Sequence, residues 1–475
     1  MHLRTSFLVQ VIFLSAVIPS LAQVSFSFKG YTVGSGNGAS SVITGDFNRD
    51  GKPDFAAASN VDGVVDIYLN AGSGQFTLKS EFASGDPQQI QTADINHDGK
   101  LDLLVSDAQH PQVSTFLGVG DGIFVPGSPI TLQAPAIDFE LADLNNDGSP
   151  DILVHQCNSA QPPVCSIQQY RNNGSGTFTA GQVVVGSTTH TASYGFRTLA
   201  LADFNHDGFV DVAILTDAGF STYFNHSGTF VAGSSRAVPG AASIVSGSFN
   251  HDNWYDLAVS YEDPKCTGQP CNWYAAVYLN DGSGNVGLRS RTLLAGQILS
   301  VGDLNGDSIQ DIIGVNGAHF GGSISYALGH GDGTFGSAFS IGADTPGLVT
   351  TRDLNLDGRH DLELTEYLPG ETIIGSNTSA SVICVPPGSA NLTAKICSPS
   401  AGTTISTTFT VRASGNSPAG VQRIELWVDG KKRYEAKNDQ LRATVSVAPG
   451  SHRIAAVAVD LYGAHTTKAI NVNAH

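Results

Sequence analysis

The residues best suited to chemistry are carboxylates and carboxamides that recur in one frame, Asp-x-Asn-x-Asp-Gly-x-x-Asp or close to it. Copies begin at Asp46, Asp94, Asp143, Asp203, Ser248, Asp303 and Asp353, at spacings of 48, 49, 60, 45, 55 and 50 residues. Oxygen donors at alternate positions 1, 3 and 5, with a Gly at 6 for the sharp turn, are what a loop needs to wrap a hard cation such as Ca²⁺. A single copy would carry little weight, because Asp and Asn are ordinary turn residues. Seven copies at near-regular spacing carry much more. A period of this size marks a solenoid, a propeller or an array of small modules.

These loops set demands on the rest of the chain. Of 475 residues only 14% are charged, while Gly numbers 54 and Met one. That composition suits short strands and tight turns better than helices. Charge is unevenly placed: residues 23–387 hold 13 Lys/Arg against 37 Asp/Glu, a net of −24, and residues 388–475 hold 10 against 5, a net of +5. Twenty of those acids lie in the seven nonapeptides. Without a cation they repel one another, and seven Ca²⁺ (+14) would bring the segment from −24 to −10. So acidic a surface argues against a nucleic-acid partner.

The first residues read as an export signal. Arg4 gives the positive start, Phe7 to Ile18 the apolar stretch, and Ser20-Leu21-Ala22 a cleavage site before Gln23. The alternatives are an uncleaved anchor or a buried first strand. No other segment approaches a membrane span. The expected product is secreted or held at the cell surface, and a monomer. Six cysteines agree with an oxidising compartment. Local pairing is expected, Cys157 with Cys165, Cys266 with Cys271 and Cys384 with Cys397, among the fifteen connectivities that six cysteines allow.

Aligned on the nonapeptide, each unit shows the same parts. An apolar strand leads in, as at Ser41–Phe47 or Ile137–Leu144, and a second strand leaves from the last Asp, as at Asp151-Ile-Leu-Val. A third follows, then a Gly-rich turn to an aromatic (Gly72 to Phe76, Gly120 to Phe124, Gly174 to Phe178, Gly331 to Phe335) and a fourth. Four antiparallel strands repeated seven times is a propeller pattern. The near-continuous apolar second strands suit burial on both faces. The fold class expected is all-β: a seven-bladed β-propeller followed by a small Ig-like β-sandwich.

The pattern Phe-Asn-x-Asp-Gly-x-x-Asp followed by Gly-x-Gly-x-Phe resembles the FG-GAP/VCBS repeats of secreted bacterial proteins and integrin α-subunit heads, over roughly residues 24 to 380. The resemblance implies a seven-bladed propeller whose acidic loops join strands 1 and 2 and bind Ca²⁺ on one face. It also implies side-chain ligands at positions 1, 3, 5 and 9 and a backbone carbonyl at 7. Those side chains are Asp46, Asn48, Asp50 and Asp54; Asp94, Asn96, Asp98 and Asp102; Asp143, Asn145, Asp147 and Asp151; Asp203, Asn205, Asp207 and Asp211. The later repeats offer Asn250, Asp252 and Asp256; Asp303, Asn305, Asp307 and Asp311; Asp353, Asn355, Asp357 and Asp361. Repeat 5 departs, with Ser248 for the first Asp and Asn253 for the Gly, so it is expected to bind weakest. Repeat 6 has Ser308 in place of the Gly.

Repeat 7 breaks off after Gly375 without a fourth strand, and an unpaired strand, Val24–Val33, precedes repeat 1. The N-terminal strand is therefore expected to complete blade 7 and leave no open edge. The domains read as 1–22 signal peptide, 23–380 propeller, 381–392 linker and 393–475 sandwich. The last has strands expected at Thr407–Arg412, Arg423–Val428, Arg442–Val447, His452–Val459 and Lys468–Val472, with a hairpin signal at Asp429-Gly430. It resembles bacterial Ig-like modules through Ser-Pro-x-x-Gly at Ser398, Val-Asp-Gly at 428–430 and Pro-Gly-Ser-His at 449–452.

On the rim opposite the acidic loops the repeats diverge, and blades 3 and 5 insert the cysteine pairs. Tyr261, Trp273, Tyr274, His319 and Phe320 are the candidate ligand contacts there, the alternative being rings packed between blades. Strand 2 ends in acids or amides: Asn60, Asp107, Asp217, Glu262 with Asp263, Asn316 and Glu366. These are a potential carboxylate pair for glycoside chemistry, or ordinary turn residues. The leading expectation is a calcium-binding, non-enzymatic binding or adhesion protein with an extracellular glycan or protein ligand. A polysaccharide-active lyase or hydrolase on the same propeller is the alternative.

Overall fold

The computed structural model describes residue 24 and residues 26–474, apart from 37, 73–74, 159, 161–162, 189–196, 251, 253, 267–270, 295, 308, 317–322, 343–345, 356–358, 367–370, 378–391, 399–403, 406, 418–420 and 437–439. The proposed export signal and almost all of the proposed linker thus lie outside the described residues. Every regular element described is a β-strand. Among the described residues no helix is long and apolar enough to cross a membrane.

Among the described residues up to 377 the strands form seven antiparallel sheets, six of four strands and one of five. In blade 1 these are Ala39–Gly45, Asp54–Ser59, Val64–Asn70 and Phe76–Ala83, paired in that order. Every residue of Asp54–Ser59 is buried, because this second strand is covered on both faces by neighbouring sheets. Blade 7 takes its outer strand from the other end of the chain. Phe26–Thr32 pairs antiparallel with Glu371–Asn377, from Phe26 opposite Asn377 to Thr32 opposite Glu371. Tyr31 then lies edge-on to Phe55, Tyr68 and Phe76 of blade 1, each at 5.5–5.6 Å between ring centroids. The N-terminal strand so completes one sheet and seals it against the next.

Two sets of hydrogen bonds join the sheets, an inner one at five junctions and an outer one that closes into a circle. In the inner set, a residue early in the first strand takes a backbone N–H of the next blade. Ile90 N–H donates to Ser41 Oγ, Phe139 N–H to Gln89 Oε1, Leu199 N–H to Asp138 Oδ2 and Leu299 N–H to Ser243 Oγ. At the junction of blades 4 and 5 a backbone carbonyl serves instead, Arg197 O accepting from Ile244 N–H.

The outer circle runs along the acidic loops and closes completely. In five blades the third strand ends in Asn, whose Nδ2 donates to the carbonyl at loop position 2 of the preceding blade. The pairs are Asn70 to Leu354, Asn172 to Ile95, Asn225 to Leu144, Asn280 to Phe204 and Asn377 to Leu304, all at 2.6–2.9 Å. Blades 2 and 6 have Gly118 and Gly329 at the Asn position. There the Gly-rich turn supplies a backbone donor, Gly122 N–H to Phe47 O and Gly333 N–H to Phe249 O. Each position-2 carbonyl thus finds a donor on the next blade, and the pair from Asn70 to Leu354 joins the first repeat to the last.

Beyond the propeller, a three-stranded sheet and a five-stranded sheet share one core that includes Val411, Ile424, Leu426, Ile454 and Val472. Asp429 and Gly430 both have positive φ, 50° and 75°, as a tight hairpin of right-handed twist requires. The hairpin's return strand, Lys431–Ala436, is an addition to the expected set; its exposed, charged face gives it no apolar signature.

Truncating Asn280 to Ala leaves the buried Phe204 carbonyl without its donor, which should cost about 1–3 kcal/mol of unfolding free energy. Chemical denaturation is the measurement. An unchanged midpoint and slope would mean that the circle of Asn bonds does not hold the blades together.

Candidate functional site

The acidic loops are built the same way from repeat to repeat. In repeat 1, Asp46 Oδ1 accepts from Asp50 N–H and Oδ2 from Gly51 N–H, while Asn48 Oδ1 also accepts from Asp50 N–H. Asp94, Asp143 and Asp203 make the same pair of bonds. Position 6 is glycine at φ 82°, 78°, 89° and 88° in Gly51, Gly99, Gly148 and Gly208. A Cβ on any of these would meet nothing within 4 Å, so the backbone conformation and not space selects Gly.

Position 4 also carries a constraint. Arg49, His97, Asn146 and His206 stand there at φ 57–62°, a left-handed conformation that costs a non-Gly residue on the order of 1 kcal/mol. Repeat 6 places its glycine there instead, Gly306 at φ 70°. Strain repeated at equivalent positions indicates that the loop's hydrogen bonds enforce its shape.

Position 9 faces the other way. Asp54 is fully buried, and Phe47 N–H donates to its Oδ2 at 3.0 Å and Asn70 N–H to its Oδ1 at 2.8 Å. The same two-sided clasp recurs at Asp102, Asp211, Asp256, Asp311 and Asp361. Asp151 accepts from Asn172 N–H at 2.7 Å. Burial pushes Asp54, Asp102, Asp151, Asp211 and Asp256 up to about 6 and Asp311 up to about 8, against the lowering effect of the backbone donors.

The donor chemistry of the loops suits a hard cation: a half-buried carboxylate at position 1, one at 5 that is exposed in repeats 1–4, an amide oxygen at 3, and a buried carboxylate at 9 with lone pairs beyond those on the backbone. Among the described residues, however, the only three His, Cys or carboxylate side chains whose donor atoms lie within 4.8 Å of one another are His155, Cys157 and Cys165. The two sulfurs are already joined in a disulfide. Drawing positions 1, 5 and 9 together around one ion therefore requires the loop to tighten. Lys52 pairs with Asp50 at 2.8 Å and Lys100 with Asp98 at 2.9 Å, offsetting one charge in each of the first two loops. Repeat 5 is looser. Ser248 offers no carboxylate, its N–H is taken by Gln310, and the bond from Asp252 N–H to Asn250 Oδ1 stretches to 3.4 Å. Residues 251, 253, 308 and 357 lie outside the described set.

On the opposite rim the local disulfides Cys157–Cys165 and Cys266–Cys271 are present. The third proposed pair rests on Cys384, outside the described residues, as are His319 and Phe320. Tyr261 and Tyr274 are opposite each other in the ladder of blade 5 and stack at 5.6 Å with 23° between planes. Both are half-buried, Tyr261 resting against the core between blades 4 and 5. The guanidinium of Arg291, from the end of the fourth strand, lies over the Tyr261 ring at 5.9 Å. These residues line a cavity of 380 Å³. Trp273 points to the other face of the same sheet, into a cavity of 660 Å³ shared with blade 6 that Arg291 also borders.

The acids ending the second strands serve turns where they are described in detail. Asp107 Oδ1 accepts from Gln109 and His110 N–H, and Asp263 Oδ1 from Lys265 N–H. In the central channel Asp138 Oδ2 accepts from Thr198 and Leu199 N–H and Oδ1 from Gln89 Nε2, so it is a blade junction.

Sheets that follow one another in a closed circle define a β-propeller. The family described as FG-GAP-like repeat matches residues 46–105 and 94–154, and that described as Bacterial Ig domain matches 393–456. These spans carry two FG-GAP-like repeats and, in the C-terminal region, a bacterial Ig domain. No curated protein matches it. Among solved structures, BBS1N in complex with ARL6DN, soaked with lead, is similar at a TM-score of 0.51 and 11% identity, over 76% of this chain and 98% of that one. The same complex soaked with mercury gives 0.50 and 10%, over 74% and 98%. A functionally unknown protein from Desulfotomaculum acetoxidans DSM 771 gives 0.43 and 9%, over 67% and 100%. At such identities the likeness is one of fold.

In chelator-treated protein, Asp54→Asn should cost about 1–3 kcal/mol, since an amide nitrogen would face a backbone N–H in a buried site. Asp50→Asn, at the exposed position 5, should stay within about 0.5 kcal/mol. Equal losses in urea titrations would contradict the separate roles of the two positions.

Proposed function

We propose that this repeat-based scaffold is an exported, calcium-stabilised binding protein that captures an extracellular glycan on the rim opposite its acidic loops, without catalysing a reaction. The observation that carries the reading is the Tyr261–Tyr274 stack beneath Arg291, half-exposed and beside a loop braced by Cys266–Cys271. Aromatic rings with a polar group close by suit sugar rings, and a rigid loop lowers the ordering cost of binding. The polysaccharide-lyase or hydrolase alternative asks for a carboxylate pair free to act. Asp107, Asp138 and Asp263 are engaged in holding backbone.

The calcium role rests on the acidic loops. Calcium, when bound, supplies positive charge among carboxylates that otherwise repel one another. Asp46, Asn48 and Asp50 and their counterparts would hold it from the exposed side, and Asp54 and its counterparts from the buried side. Export rests on the sequence signal before Gln23 and agrees with the two disulfides.

Two outcomes are expected. Chelation should lower the melting temperature, and anomalous diffraction should find calcium in repeats 1–4 and 7 first, then repeat 6, and last in repeat 5. A melting temperature indifferent to chelator removes the structural role. On a glycan array the calcium-loaded protein should bind, and Tyr274→Ala should abolish binding with the melting temperature preserved. Failure of the intact protein to bind any glycan overturns the reading.

A further inference from the structure

The cavity between blades 4 and 5 differs in charge from the domain around it. Residues 23–387 carry a net −24, yet four of their 13 basic residues, Arg236, Lys265, Arg289 and Arg291, fall in the outer strands and rim loop of these two blades. Lys265 and Arg291 line the cavity itself with Tyr261, Tyr274, Tyr278 and Pro239. The neighbouring cations are committed elsewhere. Arg289 pairs with Asp332 at 3.1 Å, and Arg236 donates through Nε to Val286 O and through Nη1 to Ser235 O. Arg291 forms no ion pair among the described residues; it is exposed and lies over the Tyr261 face. One acid borders the cavity, Asp263, and its Oδ1 is taken by the Lys265 N–H.

A stacked aromatic pair with an unpaired guanidinium over the face of one ring asks for a ligand that has both a flat, partly apolar face and an anion. A planar guanidinium favours carboxylate or sulfate, which it can meet with two parallel hydrogen bonds. The volume of 380 Å³ sits at the small end of ligand sites, which run from about 300 to 1,000 Å³, so it suits a short segment of a chain.

We infer that this cavity binds an acidic saccharide, its sugar ring against Tyr261 and Tyr274 and its carboxylate or sulfate against Arg291, with Lys265 at the mouth. The inference rests on the glycan-binding reading above and adds the charge of the ligand. Uronate and sulfate esters share the chemistry that Arg291 recognises. The test therefore uses both.

The experiment is calorimetric titration of the calcium-saturated full chain with an oligouronate, a sulfated oligosaccharide, and the methyl-esterified and desulfated counterparts of each. At least one acidic probe should bind about tenfold or more tightly than its neutral counterpart, with affinity falling as salt rises. Arg291→Gln should remove that preference, weakening the acidic probe far more than its neutral counterpart with the melting temperature unchanged, and Arg291→Lys should restore part of it. Tyr274→Ala should weaken both probes. Neutral probes binding as tightly as acidic ones would overturn the acidic preference and leave the glycan reading intact. Absence of binding to all the saccharide probes would overturn both, and an Arg291→Gln variant that keeps the preference would place the anion elsewhere.

Discussion

The structure depends on how the backbone of one residue, at position 2 of the acidic loop, is held at its carbonyl in every repeat and at its N–H in six of the seven. In repeat 1 its N–H donates to the buried Asp54, and its carbonyl accepts from Gly122 of the next blade. In repeat 7 the Leu354 N–H donates to Asp361 and the carbonyl accepts from Asn70. Because Asp54 also takes the Asn70 N–H, one carboxylate fixes its own loop and the end of the third strand at once. A buried carboxylate with charged-form donors on both oxygens is stabilised, but its desolvation works against it, which is why its proton affinity rises. The same burial that makes the clasp rigid leaves it electrostatically incomplete, and a divalent cation against the outer face of each loop would relieve that.

The two rims then have different freedoms. On the acidic rim every loop must present position 2 to a neighbour, so length and backbone conformation are fixed. Even non-Gly residues such as Arg49, His97 and His206 are forced to positive φ there. On the opposite rim no bond of the outer circle is made. Insertions can enter between the second and third strands, as at Cys157–Cys165 and Cys266–Cys271, without disturbing closure. Divergence collects where the circle does not need the chain.

Much of this was legible in the amino-acid sequence, and the exceptions share a physical cause. The period, the apolar second strands, the strand borrowed from the N-terminus and two local disulfides are all written in residues close together or in a repeated frame. The Asn at the end of the third strand was there to be read, in Tyr68-Leu-Asn70 and Tyr278-Leu-Asn280, but Gly118 and Gly329 break the pattern. Its meaning needs a partner 73 to 284 residues away, as for Asn377 with Leu304 and Asn70 with Leu354. Position 9 reads in sequence only as one more candidate ligand; the fold adds that it is buried and accepts backbone N–H groups, as Asp54 does from Phe47 and Asn70. Arg291 was missed for the same reason: it reaches Tyr261 only through the ladder that sets Ala276 beside it and Tyr261 beside Tyr274.

That ladder also explains why a binding surface would arise at blade 5. Strand 2 ends, strand 3 begins and strand 4 ends on the opposite rim, so three chain segments there present side chains across one edge with a fixed register. Alternation sends Tyr274 toward blade 4 and its neighbour Trp273 toward blade 6, so a single hairpin serves two cavities, and Arg291 borders both. A half-buried ring such as Tyr261 packs in part against the core between blades and in part lines the cavity. The rigidity imposed by the carboxylate clasps on one rim is therefore what makes small, pre-formed pockets possible on the other.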